Sequence, residues 1–197
     1  ILTQRIDDIL LLGELQAGTY ATVDEPIDLA EIARSAKDAM IQNADKIDII
    51  DLRPRAEPIH SDPAAVRIML IHLLRNATYH SVDGCVLRIS MVGEDQVVEI
   101  VDDGPGIARA DLDRVMKPFH TVANGEAKAD TGLGLGLAIV DGLSRVNRVQ
   151  IEMETDPHRG TAVRLRFAPQ GKATSGRPAG FHLRRLTSAA GADLKCT

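Results

Sequence analysis

The sequence is poor in aromatic side chains, with no Trp and only three Phe and two Tyr among 197 residues. Proteins that bind single-stranded nucleic acid stack bases on aromatic rings, and nucleic-acid surfaces are generally basic. Here 28 acidic residues outnumber 23 basic ones, which gives a net charge of -5. Both shortages argue against a nucleic-acid partner.

Cysteine and long apolar runs are scarce as well. Cys85 and Cys196 lie far apart, in a spacing that suits neither a disulfide framework nor a zinc site, and this fits a reducing cytosol. No apolar run approaches the roughly 20 residues that cross a bilayer, and no signal peptide opens the chain. We therefore expect this segment to be cytoplasmic. Because the sequence starts at Ile1 rather than Met, the possibility of an inner-membrane anchor upstream of this segment stays open.

A glycine-rich run, TGLGLGLAIV at residues 131–140, stands out among what is present. Its core alternates glycine with leucine: Gly132, Leu133, Gly134, Leu135 and Gly136. Glycine lets the backbone approach a ligand closely, and the N–H groups that begin the following helix attract anions. A P-loop is excluded because no Lys-Ser/Thr follows, and the spacing does not fit a dinucleotide fingerprint. The run alone is equally consistent with a phosphate site and with a hinge.

A row of polar side chains marks one predicted helix. Ser61-Asp62-Pro63 is typical of a helix start, and the apolar stretch that follows predicts a buried helix to about His80. Within it His72, Asn76 and His80 recur every four residues and so share one face. Each alone is more often a core polar group with a hydrogen-bond partner. Three in register favour a site along that face.

A tight turn follows a predicted hairpin of strands at 86–92 and 96–101. The turn reads Asp102-Asp103-Gly104-Pro105-Gly106-Ile107. It either presents Asp102 at the mouth of the domain or is a capped turn with a solvated pair of carboxylates. The motif alone does not separate these alternatives.

The first helix is expected at residues 1–17, where apolar side chains have helical spacing and Gly18 can end the helix. It packs either on its own domain or against a second helix in a bundle or coiled coil. Its uncapped start favours the second alternative and hence a dimer. Further helices are expected at 29–44, 110–116 and 136–145, and further strands at 47–52, 57–60, 149–155 and 161–167.

The motifs, in their order along the chain, resemble the ATP-binding domain shared by sensor histidine kinases, type II topoisomerases, ninety-kilodalton heat-shock chaperones and mismatch-repair ATPases. The resemblance covers about residues 27–168. Within that superfamily the motif sequences are most similar to those of bacterial two-component sensor histidine kinases. These motifs are Leu-Leu-Arg-Asn-Ala, Val-Asp-Asp-Gly-Pro-Gly-Ile, Lys-Pro-Phe and Gly-Leu-Gly-Leu-Gly-Leu-Ala-Ile-Val. It implies an α+β fold: a two-layer α/β sandwich, the Bergerat ATP-binding fold, with a mixed sheet covered on one face by helices.

The resemblance also divides the chain. It implies that residues 1–18 are the end of a dimerisation and phosphoacceptor helical hairpin and that residues 19–27 are a linker. Residues 28–169 would be the ATP-binding catalytic domain, and residues 170–197 a tail. The tail is rich in Gly, Ala, Ser and basic residues, which predicts disorder or a linker to another domain.

Site roles follow from the resemblance residue by residue. Asp102 would accept a hydrogen bond from adenine with support from Thr161, and Asn76 would be a catalytic residue that ligates Mg²⁺. The loop from Phe119 to Thr131 would be a lid over ATP. The full set implied to bind nucleotide is Asp102, Gly104, Gly106, Ile107, Phe119, Gly132, Leu133, Gly134, Leu135, Gly136, Thr161, Arg75, Tyr79 and His80.

Four residues depart from the family pattern. His72 stands where sensor kinases often have Asn and hydrolysing relatives have Glu; it would contact the γ-phosphate or order Asn76, and is the second candidate catalytic residue. Tyr79 replaces a cationic residue, so that charge would come from elsewhere: Arg75, His80 or Lys117. Met116 and His158 replace an aromatic residue and a glycine.

The implied function is transfer of the γ-phosphoryl group of Mg-ATP to a histidine on the helical hairpin of the same or a partner subunit, then to an aspartate on a response regulator receiver domain. The full-length protein would be a homodimer. No His here lies in the family's His-Glu/Asp-x-Arg-x-Pro setting, so this fragment is not expected to autophosphorylate alone. Two alternatives stay open: a hydrolysing ATPase of the same superfamily, and a nucleotide-binding module or pseudokinase that acts through dimer contacts.

Overall fold

The structure, a computed structural model, describes residues 2–55, 57–112, 114–120, 133–156, 160–169 and 180–185. The helices are α1 (Leu2–Ala17), α2 (Leu29–Asp38), α3 (Pro63–His80) and α4 (Gly136–Val146). The strands are β1 (Glu25–Ile27), β2 (Ile47–Asp51), β3 (Ile59–Ser61), β4 (Cys85–Val92), β5 (Asp95–Asp102), β6 (Gln150–Asp156), β7 (Gly160–Phe167) and β8 (Gly180–Arg185). In this described part of the chain no helix is long and apolar enough to span a membrane.

Six strands form one mixed sheet in the order β2-β4-β5-β7-β6-β8. The pairs at its two edges, β2 with β4 and β6 with β8, are parallel, and the inner pairs are antiparallel. Strands β1 and β3 form a separate two-stranded ribbon. The expected α+β fold with a mixed sheet is confirmed.

The two faces of this sheet differ because side chains alternate along each strand. On one face Leu87, Ile100 and Leu165 are buried in a core that they share with apolar side chains of the helices. On the other face Glu99 forms ion pairs with Arg88 at 3.4 Å and Arg164 at 2.7 Å. The helices therefore cover one face, as expected, and the charged side chains lie on the other.

Helix starts follow the capping residues. Asp28 caps α2 by accepting the N–H of Ala30 at 2.9 Å, and Asp62 caps α3 by accepting the N–H groups of Ala64 and Ala65 at 2.9 and 3.0 Å. Asp62 also accepts from the hydroxyl of Tyr20 at 3.1 Å and from the N–H of Val23 at 3.3 Å. This carboxylate thus ties the segment after α1 to the start of α3.

Two predicted helices are shorter than expected. The helix predicted at 29–44 ends at Asp38, because the N–H of Met40 bonds to Lys37 and that of Asn43 bonds to Met40, a three-residue spacing that turns the chain. The helix predicted at 110–116 is only a 3₁₀ turn at Arg109–Asp111.

The composition of the tail predicts disorder or a linker to another domain, but residues 180–185 form β8. The strand pairs in parallel with β6, with Ile151 opposite Phe181. Without it β6 would be an edge strand with unpaired backbone groups, which favours addition of a strand there. Similarly, the predicted linker 19–27 contains β1.

Helix α1 packs on its own domain, the first of the two arrangements considered for it. Leu12 is buried in the core and Leu15 packs against it. The Leu15 side chain lies so close to α4 that a Cβ added to Gly142 would be 2.9 Å from Leu15 Cδ1. Three apolar side chains of α1 point away from the domain and are exposed: Ile6, Ile9 and Leu10.

Candidate functional site

The carboxylate of Asp102 lies at the end of β5, opposite Thr161 on β7. Its Oδ1 accepts the N–H of Gly104 at 2.9 Å. Burial raises the pKa of Asp102 to about 6; the backbone N–H groups of Gly104 and Thr161 oppose that rise, and the neighbouring Asp103 adds to it. A Cβ on Gly104 would lie 2.8 Å from both Asp102 Oδ1 and the backbone oxygen of His80, so only glycine fits this close approach.

A residue not predicted from the sequence, Thr155 on β6, joins this loop to the β6–β7 hairpin. Its hydroxyl oxygen accepts the N–H of Ile107 at 2.9 Å and lies 3.2 Å from the hydroxyl of Thr161. Thr155 and Thr161 face each other in the strand register. The register of the hairpin, once worked out, would have found Thr155, because it puts both hydroxyls on the face that carries Asp102.

The polar row on α3 runs beneath the site. Eight residues of helix separate His72 from His80, about 12 Å at 1.5 Å per residue. At the far end the backbone oxygen of His80 lies beside Gly104, while the rings of Tyr79 and His80 contact edge to face at 4.9 Å. The row therefore extends from the Asp102 loop toward the glycine-rich run.

At the other end of the row, which we call the near end, His72 and Asn76 face the start of α4. A Cβ on Gly136 would lie 3.3 Å from Nδ1 of His72 and 3.8 Å from both amide atoms of Asn76. The residue before α4, Leu135, is buried and gives this helix no side-chain cap within the described part of the chain. The first N–H groups of α4, with the positive end of its dipole, are thus suited to an anion.

The glycine-rich run is held by the turn at 117–120. The N–H of Phe119 donates to the backbone oxygen of Gly134 at 3.0 Å, while the Phe119 side chain is exposed. Gly134 has a φ of 67°, and a Cβ there would lie 2.6 Å from the backbone oxygen of His120, so two reasons require glycine. Leu133 is exposed. The predicted lid at 119–131 beyond His120, and Gly132, lie outside the described residues.

Helix α1 reaches the His72 end of the row through Asp8, a residue that was not predicted from the sequence. Asp8 Oδ1 lies 3.4 Å from His72 Nε2, and Asp8 Oδ2 lies 3.6 Å from Nη2 of Arg75. Arg75 Nη2 in turn lies 2.8 Å from His72 Nδ1. Burial would raise the pKa of Asp8, but its hydrogen bonds and charge interactions with His72 and Arg75 outweigh this and lower the pKa.

The proton positions on His72 follow from its partners. A guanidinium can only donate, so Nδ1 of His72 accepts from Arg75. The ring hydrogen of the neutral imidazole is then on Nε2, which faces Asp8. Both ring nitrogens of His72 are therefore engaged by Asp8 and Arg75.

Comparisons with known proteins agree with this architecture. Residues 61–171 match the family described as "Histidine kinase-, DNA gyrase B-, and HSP90-like ATPase". The chain is 31% identical to "Sensor protein KdpD" of Rathayibacter rathayi over 156 residues, which are 79% of this chain and 18% of that protein. It is 30% identical to "Probable sensor histidine kinase TcrY" of Mycobacterium tuberculosis over 168 residues, 83% of this chain and 35% of that protein.

The fold is also similar to that of a solved structure, full-length ShkA in complex with AMPPNP, with a TM-score of 0.69 and 21% sequence identity. The similarity covers 97% of this chain and 47% of that one. The present chain spans about a fifth to a third of the length of the two curated relatives.

Proposed function

Because the chain belongs to the family of histidine kinase-, DNA gyrase B- and HSP90-like ATPases, we propose that it is the ATP-binding catalytic domain of a sensor histidine kinase that phosphorylates a histidine on a helical hairpin. The observation that carries the proposal is the polar row on α3. It runs from the half-buried carboxylate of Asp102 to the start of α4 at Gly136, which has no side-chain cap. The relatives named as sensor proteins support the kinase assignment.

Asp102 is the proposed adenine contact. A carboxylate accepts a hydrogen bond from the exocyclic amino group of adenine, whereas guanine presents a carbonyl oxygen there and would be repelled. The backbone N–H groups of Gly104 and Thr161 orient the carboxylate, and Gly106 and Ile107 continue the loop that Thr155 holds. The site should therefore select ATP over GTP.

The start of α4 is the proposed phosphate site. Its free N–H groups and the backbone of Gly132 to Gly136 would bind the phosphate chain, with positive charge from Arg75. Tyr79 and His80 lie at the end of α3 that borders the Asp102 loop.

Asn76 is the proposed ligand of Mg²⁺. Its amide is half-buried and faces the start of α4, so its oxygen can reach an ion held by phosphates. Among the described residues no group of three or more His, Cys, Asp or Glu could hold a metal. This fits Mg²⁺ on a nucleotide, which takes most ligands from phosphate oxygens and water. When bound, the ion neutralises negative charge on the phosphates.

The nucleophile comes from outside the described site. A histidine nitrogen of the hairpin would attack the γ-phosphorus, and the bond to the bridging oxygen would break to leave ADP. His72 has both ring nitrogens engaged by Asp8 and Arg75, and it stands where hydrolysing relatives have Glu. This disfavours the hydrolysing ATPase and supports transfer to a histidine.

The wider assembly is part of the same proposal. A receiver domain of a response regulator would take the phosphoryl group onto an aspartate, in the cytoplasm. The exposed apolar side chains of α1, Ile6, Ile9 and Leu10, would pair two subunits in a homodimer.

Calorimetric titration of the non-hydrolysable analogue AMPPNP with Mg²⁺ tests the binding step. We expect heat of binding with the wild-type chain and none with the GTP analogue. A wild-type chain that binds neither would refute the proposal. Labelled ATP with a separately supplied histidine-bearing hairpin then tests transfer: label on the hairpin supports the kinase, steady phosphate release without the hairpin supports an ATPase, and binding without either supports a nucleotide-binding module.

A further inference from the structure

The contact between α1 and the near end of the polar row uses three charged or ionisable side chains. Asp8 lies 3.4 Å from His72 and 3.6 Å from Arg75, and the latter two lie 2.8 Å apart. His72 is only 3% exposed and the Asp8 side chain 16%, so water screens their contact weakly, whereas Arg75 is 39% exposed and its contact with Asp8 is screened more. The lowered pKa of Asp8 agrees with an ionised carboxylate in this position.

The same triangle borders the proposed phosphate site. Nδ1 of His72 would be 3.3 Å from a Cβ on Gly136, the first residue of α4. Arg75 is the cation in contact with His72 there, and Asp8 neutralises it. A phosphate chain at the start of α4 would therefore approach Arg75 while the Asp8 carboxylate already neutralises it.

We propose that α1 is a latch that competes with nucleotide. Asp8 engages His72 and Arg75 when α1 is docked, and a bound triphosphate displaces Asp8 because two anions repel each other beside the Arg75 guanidinium. Docking of α1 and binding of nucleotide then weaken each other by the same factor, as linkage requires. The inference rests on the proposed function, since it needs a polyphosphate at the start of α4.

Packing of α1 on α4 makes the latch effective. Leu12 and Leu15 join the core, and Leu15 lies directly over Gly142, six residues after the start of α4. This contact holds α1 at a fixed position along α4 and brings Asp8, nearly two turns before Leu15, to His72. Release of the charge contact therefore loosens one end of a helix whose other end stays packed.

The first experiment compares Asp8→Asn with Asp7→Asn by calorimetric titration of AMPPNP and Mg²⁺. Both variants remove one negative charge from the same helix, but the Asp7 side chain is exposed and is the matched control. We expect Asp8→Asn to bind about fivefold tighter or more, and Asp7→Asn to stay within about twofold of wild type. Equal affinity of the two variants, or weaker binding by Asp8→Asn, would overturn the latch.

A second experiment needs no variant. Hydrogen exchange of the wild-type chain is measured with and without AMPPNP and Mg²⁺, and slower exchange at 102–107 reports that nucleotide is bound. We expect amides of residues 5–12 to exchange faster in the bound state. Bound nucleotide with unchanged or slower exchange in α1 would overturn the latch alone, whereas failure of the wild type and of Asp8→Asn to bind would overturn the proposed function as well.

Discussion

Replacement of Asp102 by Asn should stabilise the nucleotide-free fold. Burial raises the pKa of this carboxyl from an ordinary value of 3.8 to about 6. That rise corresponds to about 3 kcal/mol by which the ionised carboxylate destabilises the folded state near neutral pH. In the variant, one of the two backbone N–H donors at this position loses an oxygen partner, which costs about 1 kcal/mol. We expect a net gain of about 1–2 kcal/mol in the free energy of unfolding.

The pH dependence distinguishes this cause from others. Because the folded-state pKa of Asp102 is raised, its protonation stabilises the folded wild type; that stability is fully present below 3.8 and is lost as the pH rises through about 6. The advantage of Asp102→Asn should therefore be largest at about pH 8 and should disappear by about pH 4. Urea unfolding of both proteins without nucleotide measures the difference at each pH.

Two results would refute this reasoning. One is a variant less stable than wild type at about pH 8, and the other is a stability difference that does not change between about pH 8 and about pH 4. Asp48→Asn is the matched control, because Asp48 is an exposed residue of β2 and the substitution removes the same charge. In parallel, Asp102→Asn should bind AMPPNP at least about tenfold more weakly, because the charged acceptor for adenine is gone. Together these results would show that Asp102 destabilises the nucleotide-free fold and strengthens nucleotide binding.

Three further predictions concern single side chains. Thr155→Val should weaken AMPPNP binding about fivefold in calorimetry because Ile107 loses its acceptor, while Thr155→Ser should bind like wild type; equal loss in both would argue against the hydroxyl. Arg53→Met should lower the free energy of unfolding in urea by about 3 kcal/mol, because its buried guanidinium pairs with two carboxylates; a change under about 1 kcal/mol would contradict this. Asn76→Ala should make AMPPNP binding insensitive to EDTA, whereas wild-type binding should weaken when Mg²⁺ is removed; a variant that still responds would exclude Asn76 as the ligand.

Local signals in the sequence were sufficient for much of the fold. Asp62 caps the helix that Ser61-Asp62-Pro63 predicts, and the predicted hairpin of strands at 86–92 and 96–101 is correct to within one residue at each end. The four-residue spacing of His72, Asn76 and His80 put them on one face of α3. Each of these features depends on neighbours a few residues apart in the chain.

Features that depend on distant contacts were missed. Strand β8 pairs with the open edge of β6, and no local signal within residues 180–185 predicts that pairing. Asp8 becomes a site neighbour only because α1 docks on α4, which helical spacing cannot reveal. The helix predicted to reach residue 44 ends at Asp38, and Ile41 is 91% exposed where the chain turns away.

The carboxylate that caps α3 also determines how α1 can move. Asp62 binds Tyr20 and Val23, so the chain is anchored immediately after Gly18 and Thr19. The C-terminal end of α1 is therefore fixed twice, by this anchor and by Leu15 over Gly142, while Asp8 lies about 15 Å before Gly18. Displacement of Asp8 would then come from opening of the N-terminal turns of α1 rather than from rotation of the whole helix. A nucleotide that competes with Asp8 would thus act on the first half of α1 and leave its attachment to the domain intact.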